Sequence, residues 1–195
     1  MKMLKSFVSA ATLLAVSMNV SAGWLLNGET SSVHFVSVKK EQVAEVNHFK
    51  TLTGSINEKG RMIVDIDLAS VETGIGIRNQ RMQEMLFEVT TFKKAIIKAD
   101  LSKVLAKHVK KGMAAQFAIS QKASLTLHGK VKEIDVDLLV SYDGDKTLMA
   151  SVTKPILVMA KDFDLDGGVM ALQKVAGLPG ITQAVPVNAN LVFTQ

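Results

Sequence analysis

Strict two-residue alternation of apolar and polar side chains runs through most of this chain, and it breaks at one place. In residues 61–68, Met62, Val64, Ile66 and Leu68 point one way, and Ile63, Asp65 and Asp67 the other. In residues 132–140, Ile134, Val136, Leu138 and Val140 oppose Glu133, Asp135 and Asp137. Residues 185–193 set Val185, Val187, Ala189, Leu191 and Phe193 on one face. Successive side chains of a strand face opposite sides of a sheet, so each segment reads as a strand with one buried face. The break is residues 70–87. A glycine-bearing turn, Thr73-Gly74-Ile75-Gly76, leads into a helical pattern. There Ile77, Met82, Met85 and Leu86 fall near one face, with Arg78, Asn79, Gln80, Arg81 and Glu84 largely off it. A lone amphipathic helix in an all-β chain has to lie on something apolar, and the mouth of a barrel offers that surface.

Further strands are expected at residues 24–26, 33–38, 46–56, 95–101, 113–121 and 123–128. Residues 150–160 make another, interrupted by Pro155, and Gly54 marks a bulge or a close approach. Residues 102–112 read as a basic linker or a short helical turn. About eight strands with short turns fit an antiparallel barrel or sandwich. An eight-stranded barrel either fills with side chains or encloses one small ligand. Alternation alone does not separate the two, and a filled core is its default reading.

The first residues read as an address. Lys2 and Lys5 precede an apolar run over residues 7–20, and Val20-Ser21-Ala22 is a small-residue cleavage site. Residues 1–22 are therefore expected to be a signal peptide, cleaved after Ala22. Residues 23–195 are then one exported domain, periplasmic or secreted. The chain has no cysteine, which excludes disulfides, thiol catalysis and a lipid-modified N-terminus. The formal net charge is +5 and falls to +3 without Lys2 and Lys5. That balance, with no basic stripe interleaved with aromatics, gives no sign of a nucleic-acid partner.

Three motifs resemble a known family. Trp24 with Ser32-Val33-His34-Phe35 is similar to the opening of YceI-like domains. So is Ser70-Val71-Glu72-Thr73-Gly74 followed by Ile77-Arg78-Asn79, and so is the strand and turn of residues 123–132, ASLTLHGKVK. Asn79 stands where the family usually has aspartate after the arginine. The resemblance implies an extended, lipocalin-like antiparallel β-barrel with one short helix over its mouth. It also implies binding of a long amphiphile of polyprenyl or quinone type in the lumen, without catalysis, for carriage or sequestration. Phe35, Phe49, Met62, Val64, Ile66, Ile77, Met82, Met85, Leu86 and Phe117 would line the lumen. Arg78 and Asn79 would meet the head, since a guanidinium matches phosphate bidentately.

Other chemistry is thin. His34, His48, His108 and His128 share no metal-ligand spacing. Asp162-Phe-Asp-Leu-Asp-Gly167 resembles half a calcium loop but has Gln173 where the bidentate glutamate belongs, so no metal is expected. Ser70, Ser124 and Thr126 lie in no nucleophile elbow, and no catalytic residue is assigned. No cofactor is expected beyond a bound isoprenoid lipid or quinone. The run from Lys103 to Lys111 is either a solvated connection or a transient contact with an anionic membrane surface. The oligomeric state is open, with dimerisation through the Pro155-bearing strand as one option. Two rival readings are an exported interaction protein with a filled core and a lipid-modifying enzyme.

Overall fold

The computed structural model describes residues 23–195, and the expected signal peptide lies outside the described residues. These residues form twelve strands: β1 (Trp24–Leu26), β2 (Ser32–Lys39), β3 (Val43–Phe49), β4 (Leu52–Ile56), β5 (Arg61–Asp67), β6 (Val71–Glu72), β7 (Lys94–Asp100), β8 (Ala115–Leu127), β9 (Lys130–Tyr142), β10 (Thr147–Val152), β11 (Ile156–Met159) and β12 (Ala184–Thr194). Every pairing is antiparallel, and β12 pairs with β1 to close the sheet. β1 and β2 form one broken stave, as do β3 and β4, β5 and β6, and β10 and β11. The strands thus make an eight-stave up-and-down barrel in chain order. The all-β, lipocalin-like fold class stands.

Alternation builds the wall as the sequence predicts. Val64 and Ile66 are buried while Ile63, of the opposite parity, is exposed. β8 departs from expectation: residues 115–127 form one unbroken strand where two were read. Its inward residues run Phe117, Ile119, Gln121, Ala123 and Leu125, so Gln121 interrupts the apolar series without ending the strand. The hairpin to β9 turns on His128 and Gly129, both at positive φ, as a tight two-residue turn requires. Gly54 is a close approach: a Cβ there would lie 2.6 Å from the Ile63 carbonyl oxygen. Pro155 falls in the break between β10 and β11; β10 is hydrogen-bonded on both sides.

Three helical insertions close the two ends. α1 (Gly76–Arg81) continues into a single π turn, Met82–Leu86. α2 (Ser102–His108) is the short helical turn, one of the two readings of this stretch, and it brings Leu105 onto the core at the opposite end. α3 (Asp166–Val175) follows a 3₁₀ turn, Ala160–Phe163. The sequence reading gave residues 162–167 only a polar loop or half a calcium loop. Instead Asp164 pairs with Lys130 at 2.8 Å and Asp166 opens α3. Among the described residues, no three His, Cys, Asp or Glu side chains converge as metal ligands. No helix among them is long and apolar enough to cross a membrane.

Two apolar clusters divide the interior. The lower one is plugged by Trp24, Ile56, Tyr142, Leu148 and Phe193, with Trp24 edge-on to Tyr142 at 5.8 Å between ring centroids. The upper one holds Phe35, Phe87, Phe163, Leu165 and Val169 under the α1–π segment and α3.

Candidate functional site

The lumen is not filled. An upper chamber of about 150 Å³ has a wholly apolar lining that includes Phe35, Phe49, Ile66, Met82, Leu86 and Val169. A lower chamber of about 90 Å³ is lined by Met62, Phe117, Leu105, Leu191 and their neighbours, with Gln121 on its wall. Ile97, Ile134, Ile156 and Ala189 line both chambers and form a waist between them. Above the upper chamber a vestibule of about 350 Å³ opens between β2, β3, α1 and α3. Phe35, Met82, Leu86, Val169 and Val185 line both the vestibule and the upper chamber, so the path runs from the mouth into the barrel.

The cover is built from two helical segments packed closely together. A Cβ on Gly168 would lie 2.7 Å from the Met85 carbonyl oxygen, so α3 rests on the backbone of the π turn. That turn adds a residue to the helical ladder and brings Met82 and Leu86 over the lumen. Such π bulges recur at functional sites.

Polar groups gather in the vestibule. Glu45 on β3 receives Lys39 Nζ at 2.9 Å and Arg78 Nη1 at 2.6 Å. The hydrogen bond from Lys39, with help from Arg78, holds the Glu45 carboxyl below its usual range despite partial burial. Arg78 Nη2 donates to the Thr73 carbonyl at 2.6 Å. Asn47, two residues along β3, donates from Nδ2 to Ser37 Oγ at 3.0 Å and to the Glu45 carbonyl at 3.2 Å. Arg81 also lines the vestibule and forms no ion pair among the described residues.

The structure distributes the expected site residues unevenly. Phe35, Phe49, Ile66, Met82 and Leu86 line the upper chamber, and Met62 and Phe117 the lower one. Ile77 and Arg78 line the vestibule. Three expected residues line none of these spaces. Val64 is fully buried in the lower cluster. Met85 presents its backbone to α3. Asn79 turns back on its own loop: Oδ1 accepts from Thr73 N at 2.9 Å and Thr73 Oγ1 at 2.6 Å, and Nδ2 donates to Glu72 Oε1 at 2.9 Å. Both acceptor positions and one of its two N–H donors are therefore used in bracing the turn before α1. Lys39, Glu45 and Asn47 went unread in the sequence. Their signal was there, since Glu45 and Asn47 alternate with Phe49 on the inward face of β3.

Residues 24–193 match the YceI-like domain. No curated protein sequence matches the chain. Among solved structures, a polyisoprenoid binding domain from Saccharophagus degradans, implicated in plant cell wall breakdown, is 32% identical. It superposes with a TM-score of 0.83 over 89% of this chain and 98% of that one. Burkholderia cenocepacia BcnA shares 17% identity and the fold, with a TM-score of 0.64 over 86% of this chain and 98% of its own. The Campylobacter jejuni YceI protein shares 16%, with a TM-score of 0.56 over 81% and 90%. The match spans the whole barrel, from Trp24 in its lower plug to Phe193 beside it, and the chain belongs to the family of YceI-like domains.

Proposed function

We propose that this protein is an exported, periplasmic carrier or sequestering protein that holds one isoprenoid-like amphiphile in its barrel and performs no chemistry on it. The observation that carries this reading is the lumen. It is apolar from the vestibule floor through the upper chamber and past the waist, and its polar groups concentrate at the mouth. A chain-like ligand with one polar end has that polarity profile. Burial of the chain supplies most of the affinity, at about 0.8 kcal/mol per methylene. The polyisoprenoid-binding relative from Saccharophagus degradans supports the choice of an isoprenoid over a fatty acyl chain.

The test is native mass spectrometry of the protein purified from its own periplasm, followed by solvent extraction. A bound species of prenyl type, released by solvent, is the expected result. An apo mass with no uptake of added prenyl lipids would overturn the reading. Met82→Asp places a charge where the vestibule meets the upper chamber and should abolish uptake, with the β-sheet circular dichroism unchanged. Full uptake by that folded variant would refute the placement.

A further inference from the structure

Asn47 is the one buried polar side chain among the described residues, 2% exposed. It pairs in register with Phe35, which lines both the upper chamber and the vestibule. Its two Nδ2 bonds fix the orientation of the amide, because the Glu45 carbonyl can only accept. Oδ1 is left buried with no partner among the described residues. Arg78 repeats the situation with the opposite polarity. Both terminal nitrogens are engaged, by Glu45 and by the Thr73 carbonyl, while Nε is buried with no partner among the described residues. Asn47 bonds the backbone carbonyl of Glu45 and Arg78 its carboxylate, and both residues line the vestibule. Buried polar atoms in folded proteins are almost always matched by protein or ordered water, so an unmatched acceptor and donor on residues that line a ligand path call for a partner.

We propose that the head of the bound lipid is a neutral hydroxyl, as in a prenyl alcohol or a quinol, which donates to Asn47 Oδ1 and accepts from Arg78 Nε. This rests on the lipid-holding reading and narrows its ligand. A hydroxyl both donates and accepts, so a single group has the chemistry to match both atoms. A quinone carbonyl only accepts and leaves Asn47 Oδ1 unmatched. A phosphate wants several donors; here it would meet a bare amide oxygen and the Glu45 carboxylate, whose two oxygens already hold Lys39 and Arg78. Lys39, Arg78 and Arg81 share the vestibule with the one Glu45 carboxylate and leave it net positive, so the phosphate is the rival that the experiment includes.

The experiment holds the tail constant. Geranylgeraniol, its methyl ether and geranylgeranyl monophosphate are titrated into delipidated protein, with affinity read by competition against a fluorescent prenyl probe. The alcohol should bind about tenfold tighter than the ether, which cannot donate, as expected for one matched buried hydrogen bond. It should also bind tighter than the phosphate. Asn47→Leu should bring alcohol and ether to the same affinity. Equal affinity of alcohol and ether for the unaltered protein overturns the proposal without any variant, and so does tightest binding of the phosphate. Both results leave the tail-binding reading standing. Binding of none of the three overturns that reading, and the proposal with it.

Discussion

Glu72 shows how much of the site depends on single polar side chains whose partners the sequence does not announce. Its carboxylate receives Lys50 Nζ, Asn79 Nδ2 and the backbone N–H of Gly74. Those bonds, Lys50's first, lower its pKa to about 2. Asn79 was read as a head-binding residue because it follows Arg78 in a family-like motif. The residue types were legible; the direction of a short amide is not, because it follows from the backbone path of the turn, where Gly74 takes φ +76°. Arg78 was legible as a vestibule residue, but its ion pair with Glu45 comes from a strand far away in sequence. A carboxylate with a depressed pKa in the folded state stabilises that state above its unfolded pKa. The contribution fades as pH falls through the folded value. The stability advantage of the unaltered protein over Glu72→Gln should therefore be constant at neutral pH, shrink below about pH 4.5 and vanish near pH 2. Thermal melts of both proteins across that range check it. An advantage that persists unchanged at pH 2 would detach Glu72 from the brace.

At the scale of elements, strands were legible and one helix was not. Period-two alternation located the β5, β9 and β12 faces because a barrel wall has one inside and one outside. α3 escaped because it opens on Asp166-Gly167-Gly168, a run with poor helix propensity. Its apolar stripe is also short, with Val169 buried and Met170 and Val175 exposed. Tertiary packing sustains this helix: Gly168 lets it touch the π turn directly. The two glycines should therefore respond in opposite ways to the same substitution. Alanine favours a helix over glycine by about 1 kcal/mol, and at Gly167 an added Cβ meets open space. Gly167→Ala should be neutral or stabilising. At Gly168 the Cβ would lie 2.7 Å from the Met85 carbonyl oxygen and 2.8 Å from Leu86 Cα, both backbone atoms that cannot rotate away. Gly168→Ala should lose about 1–3 kcal/mol, as overpacked contacts do. Urea unfolding of the pair reads the difference in sign. Equal effects would mean that the two helical segments are not packed as described.

The whole molecule poses the question that alternation leaves open, namely whether the barrel is solid or hollow. Inward and outward positions follow from parity, but free volume follows from residue size summed around each layer. In this barrel alanines point inward at 95, 99, 123, 150, 160 and 189, and each lines one or both chambers. Larger aliphatic residues in those places would fill an eight-stave barrel. The alanines were visible in the sequence. Their joint effect needed the register that sets them around one axis. Ala189 has the most consequence of the six, because it sits at the waist with Ile97, Ile134 and Ile156 and separates the chambers. If a chain threads from the vestibule to the lower chamber, side-chain bulk at position 189 sets how far it reaches. Ala189→Phe should block the waist and leave the vestibule and most of the upper chamber intact. A short isoprenoid of two units should bind the variant nearly as well as the unaltered protein, and its retention also reports that the barrel has folded. A long isoprenoid would be denied burial of at least one unit. Five carbons at ~0.8 kcal/mol each are about 4 kcal/mol, several hundredfold in affinity. Competition titrations with the two lengths measure the ratio. Unchanged long-chain affinity would mean that the tail never passes the waist, and that the lower chamber is packing space and not part of the ligand path.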